Sequence, residues 1–206
     1  MTTLLTGDEI LKAMIPTVGH IKTFTGKLVN PLHLRIEDVD IEDIAHGLSL
    51  LCRFNGHTQK HYSVAEHSVH VASRLPKHLK LEGLLHDSSE AYLVDLPKPL
   101  KILPQFKPFV DAEENVMAVI RRKFNLATVE PEEVKRQDKI MCLIEKRALM
   151  GWTPPSDKEC IARFGCEIPC MSLPMCGLWN AETAILTSVP SAKETFLAAF
   201  REYSTY

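Results

Sequence analysis

The stretch from Ser63 to Pro76 constrains the fold of this chain most. Ser63 followed by Glu66 fits a capping box, in which a hydroxyl and a carboxylate satisfy free amides at a helix start. Val64, His67, Val71 and Leu75 then fall near one face of a helix. Pro76 ends it, because proline has no amide to donate and clashes with the preceding turn. A fold that buries this face takes His67 inside with it, and a buried imidazole needs polar company.

Other segments read the same way. Leu81 to Tyr92 is expected to be a second helix, with Leu81, Leu84, Leu85 and Tyr92 apolar. It ends before Asp95-Leu96-Pro97-Lys98-Pro99, where two prolines oppose regular helix. Phe109 to Phe124 fits a third, with Val110, Val116, Val119 and Ile120 on an apolar face. Pro131 suits a first helical turn, and Val134, Asp138, Met141, Cys142, Glu145 and Leu149 carry a fourth on to Gly151. Glu42 to Leu51 supplies one or two turns, and Asn180 to Tyr203 one or two more helices broken near Pro190. Pro154 to Leu178 is expected to be irregular. Strand signals are confined to the first 35 residues, where Ile21 to Val29 reads as a short hairpin or extended arm. The expectation is an all-α helical bundle with that short segment near the N-terminus. It is one domain over 1–206, with its core at 43–150 and a C-terminal extension at 151–206; 206 residues suffice for one core.

Composition narrows the function. Hydrophobic residues make up 45% and charged residues 24%, as in an ordinary globular protein. The formal net charge of −2 argues against duplex nucleic acid as the main partner, while leaving room for a small anion in a local basic pocket. No apolar run is long enough for a transmembrane helix, and Met1 to Met14 lacks the basic start and apolar centre of a signal peptide. A cytoplasmic location and no membrane partner are expected. The six cysteines are then reduced thiols. Four of them, Cys160, Cys166, Cys170 and Cys176, are spaced too widely for the usual zinc knuckles and suit packing under a loop. No phosphate-binding P-loop occurs.

The chemistry concentrates in Leu85-His86-Asp87-Ser88-Ser89-Glu90. Adjacent His and Asp at a helix end can both point at one cation, one through a neutral imidazole nitrogen and the other through a carboxylate. Glu90, three residues after Asp87, shares its helical face and could touch water there without binding metal. A His-Asp dipeptide alone is weak. Here it keeps company with His67 and with Asp138, whose helix continues through Ile140, Met141, Leu143 and Ile144. A carboxylate entering a helical core is costly unless paired or metal-bound. His67, His86, Asp87 and Asp138 therefore make a four-ligand mixed N/O site for a divalent ion such as Zn²⁺, Mn²⁺, Co²⁺ or Mg²⁺. His70 follows His67 by three, but the local sequence is not His-Glu-x-x-His, so a zincin is disfavoured.

This pattern, His67, His86-Asp87 and Asp138, resembles the HD-domain phosphohydrolase superfamily. The likeness extends to its branch of small bacterial 5′-deoxynucleotidases and phage deoxynucleotide triphosphohydrolases. Arg53-Phe54 stands where that branch has Arg and an aromatic residue, Glu90 where it has Glu, and Val94-Asp95-Leu96-Pro97-Lys98-Pro99-Leu100-Lys101 where it has Gly-Asp-Leu-Pro-x-Pro-x-Lys. Phe54 replaces a frequent Trp, and Val94 replaces the usual Gly. The resemblance runs from about Asp43 to Ala148. It implies a metal-dependent hydrolase in which Glu90 orients or deprotonates water, or protonates the leaving oxygen, and Asp95 stands beside the sugar or the water. Arg53 would grip phosphate, Lys101 would neutralise it further, and Phe54 would stack on or wall the base; Lys135, one helical turn before Asp138, could add to that charge, although an ordinary surface lysine is the better reading there. It also implies a homo-oligomer, dimer or hexamer.

Three functions follow. A triphosphohydrolase would release triphosphate from a deoxynucleoside triphosphate such as dATP, and the three cations Arg53, Lys101 and Lys135 favour it. A 5′-deoxynucleotidase would act on deoxynucleoside monophosphates through the same site. A non-catalytic scaffold would sense a nucleotide without turnover; the intact ligand set and Glu90 oppose it.

Overall fold

Asp40 opens the first long helix by accepting from the Glu42 amide at 3.0 Å, and Glu42 and Asp43 add negative charge at its positive end. A computed structural model of the chain describes residues 19–151 and 189–205. Within it β1 (Ile21–Lys22) and β2 (Leu28–Val29) form a small antiparallel hairpin, pairing Ile21 with Val29 and Lys22 with Leu28. Seven α-helices follow: α1 (Ile41–Leu50), α2 (Val64–Ser73), α3 (Lys80–Leu85), α4 (Lys98–Lys101), α5 (Lys107–Lys123), α6 (Glu132–Met150) and α7 (Val189–Tyr203). The mostly helical architecture and the N-terminal hairpin agree with the sequence reading.

The capping box forms: the Ser63 hydroxyl accepts from the Glu66 amide at 3.2 Å, and the Glu66 carboxylate accepts from the Ser63 amide at 2.8 Å. The buried faces of α1, α2, α3 and α5 meet α7 in one core, with Ile44, Leu48, Leu84, Leu85, Ile120 and Phe196 fully enclosed. Each such side chain contributes about 1.5–3 kcal/mol through removal from water. A second cluster, Tyr62, Val71, Leu75, Val134, Met141 and Leu149, joins α2 to α6. Gly151, with φ at 65°, closes α6 in the left-handed conformation glycine adopts freely.

Three expectations need correction. The helix expected over Leu81 to Tyr92 breaks: α3 ends at Leu85, and a separate 3-10 turn covers Ser88–Ala91. Asp87 (φ −100°, ψ 15°) leaves the helical region there, which points His86 and Asp87 inward together. The Pro97-Lys98-Pro99 stretch does not exclude helix, because Pro99 falls in the first turn of α4, where no amide partner is required. Finally, the C-terminal part is no mere extension: Ala192, Phe196, Leu197 and Ala199 of α7 lie in the main core. The cysteine group Cys160 to Cys176 lies outside the described residues.

Two glycines set the spacing around the site. A Cβ on Gly47 would come within 3.1 Å of the Ala91 Cβ, so α1 lies tight against the Ser88–Ala91 turn. A Cβ on Gly83 would meet Leu75 Cδ1 at 2.2 Å, so α3 lies equally tight against the end of α2.

Candidate metal centre

His67 stands on the inner face of α2 with no exposure to solvent, and His86 follows the end of α3. The rings lie 5.2 Å apart between centroids. His67 Nδ1 faces Glu145 Oε1 at 2.6 Å, and His86 Nδ1 faces the Gly83 carbonyl at 2.8 Å. Neither acceptor can donate, so each Nδ1 carries the hydrogen in the neutral ring and each Nε2 is left with its lone pair. Both Nε2 atoms are buried and make no hydrogen bond. They point instead toward carboxylate oxygens: Asp87 Oδ2 lies 3.7 Å from His67 Nε2 and 3.2 Å from His86 Nε2. One donor atom each from His67, His86 and Asp87 falls within 4.8 Å of the others, so this group could hold a metal ion.

Asp138 adds a fourth oxygen at the edge. Its Oδ1 is 3.2 Å from His67 Nε2 and 3.9 Å from His86 Nε2. The sequence places this carboxylate inside a helical core, but its side chain is 38% exposed. Val134 and Met141 bury the adjoining face of α6, and Asp138 projects at the boundary of that face. The group is therefore closed behind its histidines and open beside Asp138.

The charges hold each other in place. Burial alone would lower the His86 pKa, but the Asp87 carboxylate beside it pushes it up to about 10. Burial and Arg53 also oppose charge on His67, yet Glu145 and Asp138 raise its pKa overall. Burial would raise the Asp87 pKa, but His86, His67 and Arg53 hold it well below the usual carboxylate range. Asp138 is likewise held low against burial by the two histidines. The carboxylates thus hold both rings toward their charged form; a divalent cation among the same nitrogens and oxygens would take the place of those protons as the partner of Asp87 and Asp138.

The remaining expected site residues divide. Arg53 reaches the centre through a 3-10 turn, Arg53–Gly56, with its side chain mostly enclosed; one terminal nitrogen is 3.6 Å from Asp87 Oδ2, and the other donates to Glu145 Oε2 at 3.2 Å. Phe54 follows in a left-handed conformation (φ 54°), with the Arg53 guanidinium carbon 5.4 Å from its ring centroid. Glu90 is buried in the Ser88–Ala91 turn. Burial first, then Asp87 and Asp95, push its pKa well above the ordinary carboxylate value. One of its oxygens has no hydrogen-bond partner. Asp95, half-buried, is raised by its burial and by Asp87 against the pull of Arg53. It follows Val94, whose φ of 155° lies where glycine is at ease; the resemblance has a glycine at this position.

Lys101 is less free than expected. It donates to Glu113 Oε1 at 2.7 Å and lies 3.9 Å from Glu90 Oε1. Lys135 is not brought to the centre: it donates to Glu132 at 2.6 Å along the side of α6. Its place one helical turn before Asp138 does not bring it there, because the nearest carboxylate for its long, flexible stem is on its own helix.

Two residues with no role in the sequence reading join the centre. Glu145, fully buried, accepts from the Tyr62 hydroxyl at 3.0 Å as well as from His67 and Arg53. Glu113 holds Lys101. Glu145 had a legible signal: it follows Asp138 by seven residues, two turns along the same buried face, among Met141, Leu149 and Val134. Glu113 had none, since an acidic residue on a half-exposed helix is ordinary.

No family model matches this chain. Two bacterial proteins do. One, the uncharacterized protein YfdR of Escherichia coli (strain K12), is 44% identical over 133 residues, covering 64% of this chain and 73% of that protein. The other, the uncharacterized protein RCAP_rcc00048 of Rhodobacter capsulatus, is 31% identical over 157 residues, covering 70% of this chain and 78% of that protein.

Proposed function

The chain belongs to the family of YfdR and RCAP_rcc00048, and for it we propose a metal-dependent phosphohydrolase of the HD-domain type that acts on deoxynucleotides. The observation that carries this reading is the grouping of the buried Nε2 atoms of His67 and His86 with Asp87, one donor atom of each lying within 4.8 Å of the others. Each of these nitrogens faces a carboxylate oxygen at 3.2 Å, a mixed N/O donor set of the kind a divalent cation takes. His67, His86 and Asp87 would hold the ion, with Asp138 closing the set on its open side. A divalent cation bound there supplies a Lewis acid for a phosphoryl oxygen and lowers the pKa of water.

The chain's own residues supply the rest. Glu90, buried three residues after Asp87 and with one carboxylate oxygen lacking a hydrogen-bond partner, is placed to take a proton from the attacking water and to return one to the leaving oxygen. Arg53 lies beside Asp87 with its guanidinium at the centre, where its N–H groups would grip a phosphate oxygen. Phe54 offers an aromatic face beside it for a base.

Charge supports a monophosphate over a triphosphate. Arg53, Lys101 and Lys135 would serve three phosphates only as free cations, and among the described residues each faces a carboxylate within 4.0 Å. The 5′-deoxynucleotidase reading therefore stands ahead of the triphosphohydrolase reading. No helix of the described chain is long and apolar enough to cross a membrane.

The test is a panel of deoxynucleoside mono-, di- and triphosphates with Mn²⁺, Co²⁺, Zn²⁺ and Mg²⁺, identifying the phosphate species released beside an Asp87→Ala control. Orthophosphate from monophosphates, lost in the control, is the expected result. Intact triphosphate from one substrate would move the assignment to a triphosphohydrolase. Binding without turnover under every metal would leave a sensor and sink both enzyme readings.

A further inference from the structure

We propose that Glu145 is a positioning residue that holds His67 in its metal-facing tautomer and holds Arg53 beside Asp87. The proposal rests on the metal-site reading above and deepens it. Glu145 lies on α6, has no exposure, and sits between α2 and the Arg53–Gly56 turn. A lone carboxylate in that position would carry a large desolvation penalty. Three donors offset it. His67 Nδ1 lies at 2.6 Å and the Tyr62 hydroxyl at 3.0 Å from Oε1, while an Arg53 terminal nitrogen lies at 3.2 Å from Oε2.

The two oxygens have different tasks. Oε1 takes the single N–H of the neutral His67 ring and so leaves Nε2 bare toward Asp87 and Asp138. A carboxylate acceptor on the far nitrogen also makes the ring a more basic ligand. Oε2 takes one arm of the Arg53 guanidinium, and the other arm is left 3.6 Å from Asp87. One buried carboxylate thereby connects a metal ligand to the group that grips phosphate. Ion binding and substrate binding are coupled through it.

The test uses the full chain stripped of metal and then titrated with Zn²⁺ by calorimetry. Nitrogen-15 spectra of the imidazoles are recorded on the Zn²⁺-loaded protein. In the wild type, His67 carries its hydrogen on Nδ1, and that proton resonates far downfield because of the short bond to Glu145. Glu145→Gln keeps the shape but cannot accept from both His67 and Arg53 as a carboxylate does. It is expected to weaken Zn²⁺ binding by on the order of 10–100-fold, to shift the His67 Nδ1–H resonance upfield, and to raise KM for the nucleotide. Glu145→Asp, which keeps the charge, is expected to recover part of the Zn²⁺ affinity.

Unchanged Zn²⁺ affinity and an unmoved resonance in a folded Glu145→Gln protein would overturn the proposal while leaving the metal site intact. If Glu145→Gln does not fold, the wild-type spectrum decides alone: a His67 hydrogen on Nε2 overturns the proposal, and one on Nδ1 with a downfield proton upholds it. A wild type that binds no Zn²⁺, Mn²⁺, Co²⁺ or Mg²⁺ would sink the metal reading itself and the positioning role with it.

Discussion

The two histidines face the same orientation problem, and the fold solves it in two ways. His86 is seated locally: its Nδ1 donates to the carbonyl of Gly83, three residues back in its own helix. His67 is seated at long range, by Glu145 from a helix 78 residues further along the chain, with Tyr62 and Arg53 completing the seat. A backbone acceptor is fixed once α3 forms. A carboxylate acceptor exists only when α2, α6 and the Arg53–Gly56 turn have assembled. The His86 half of the centre is therefore as stable as one helix end, and the His67 half is as stable as the tertiary structure.

Removing the cation from the long-range seat should give the largest effect. Arg53→Met leaves the buried Glu145 carboxylate, and the partly buried Asp87 carboxylate beside it, without their shared counter-charge. Breaking such a buried pair by deleting one partner typically costs about 3–5 kcal/mol. Urea denaturation at neutral pH should show a loss of this size. Glu145 titrates low in the folded protein, against its burial, because of His67 and Arg53. Its stabilisation is thus present above the ordinary carboxylate range and disappears only as pH falls through the depressed value. Without Arg53 that value rises, so acid unfolding should begin at higher pH than in the wild type. An Arg53→Met protein within about 1 kcal/mol of the wild type would mean that the two halves of the centre do not differ as argued.

The local seat is broken by a smaller change. Gly83→Ala in a helix would ordinarily gain about 1 kcal/mol. Here the new methyl would press on Leu75 Cδ1 and lie 3.3 Å from Ala72 Cα. Overpacking against a buried neighbour typically costs about 1–3 kcal/mol, which outweighs the propensity gain. The melting temperature should fall. Zn²⁺ affinity should fall with it, because the carbonyl that orients His86 moves. A rise in melting temperature would show that Leu75 yields freely and that the α2–α3 contact is not a constraint on the site.

The same contrast explains what was legible in the sequence. His86 and Asp87 stand adjacent in the chain, the capping box announces the helix that carries His67, and the helical bundle follows from apolar periodicity. Local chemistry writes itself into local sequence. The break after Leu85 was hidden, because Leu81 to Tyr92 keeps a helical pattern through the residues where the backbone turns. The seat of His67 was hidden for a different reason. Glu145 pairs with residues 78, 83 and 92 positions away, and no pattern within α6 names those partners. Lys135 shows the converse failure, since its spacing to Asp138 suits the site but Glu132 is nearer. The core role of α7 was hidden too, since its apolar face does not say which helices it covers.

The smallest test probes one donor of the long-range seat. Tyr62 is fully buried, and its hydroxyl donates to Glu145. Tyr62→Phe keeps the ring in the α2–α6 cluster and removes the hydroxyl that donates to Glu145, while His67 and Arg53 still serve the carboxylate. The expected loss at pH 7 is about 1 kcal/mol. Its pH dependence has a definite sign. Burial first, and then the charge of Glu145, raise the Tyr62 pKa well above 10.0. The unfolded chain therefore ionises this phenol before the folded one does. The contribution of Tyr62 is fully present below pH 10 and is lost as pH rises beyond it toward the folded value. Phenylalanine does not ionise, so the gap between variant and wild type should narrow above pH 10. Urea midpoints for both proteins at pH 7 and at about pH 10.5 measure it. A gap that stays constant would place the Tyr62 hydroxyl outside the seat, leaving Glu145 to be held by His67 and Arg53 alone.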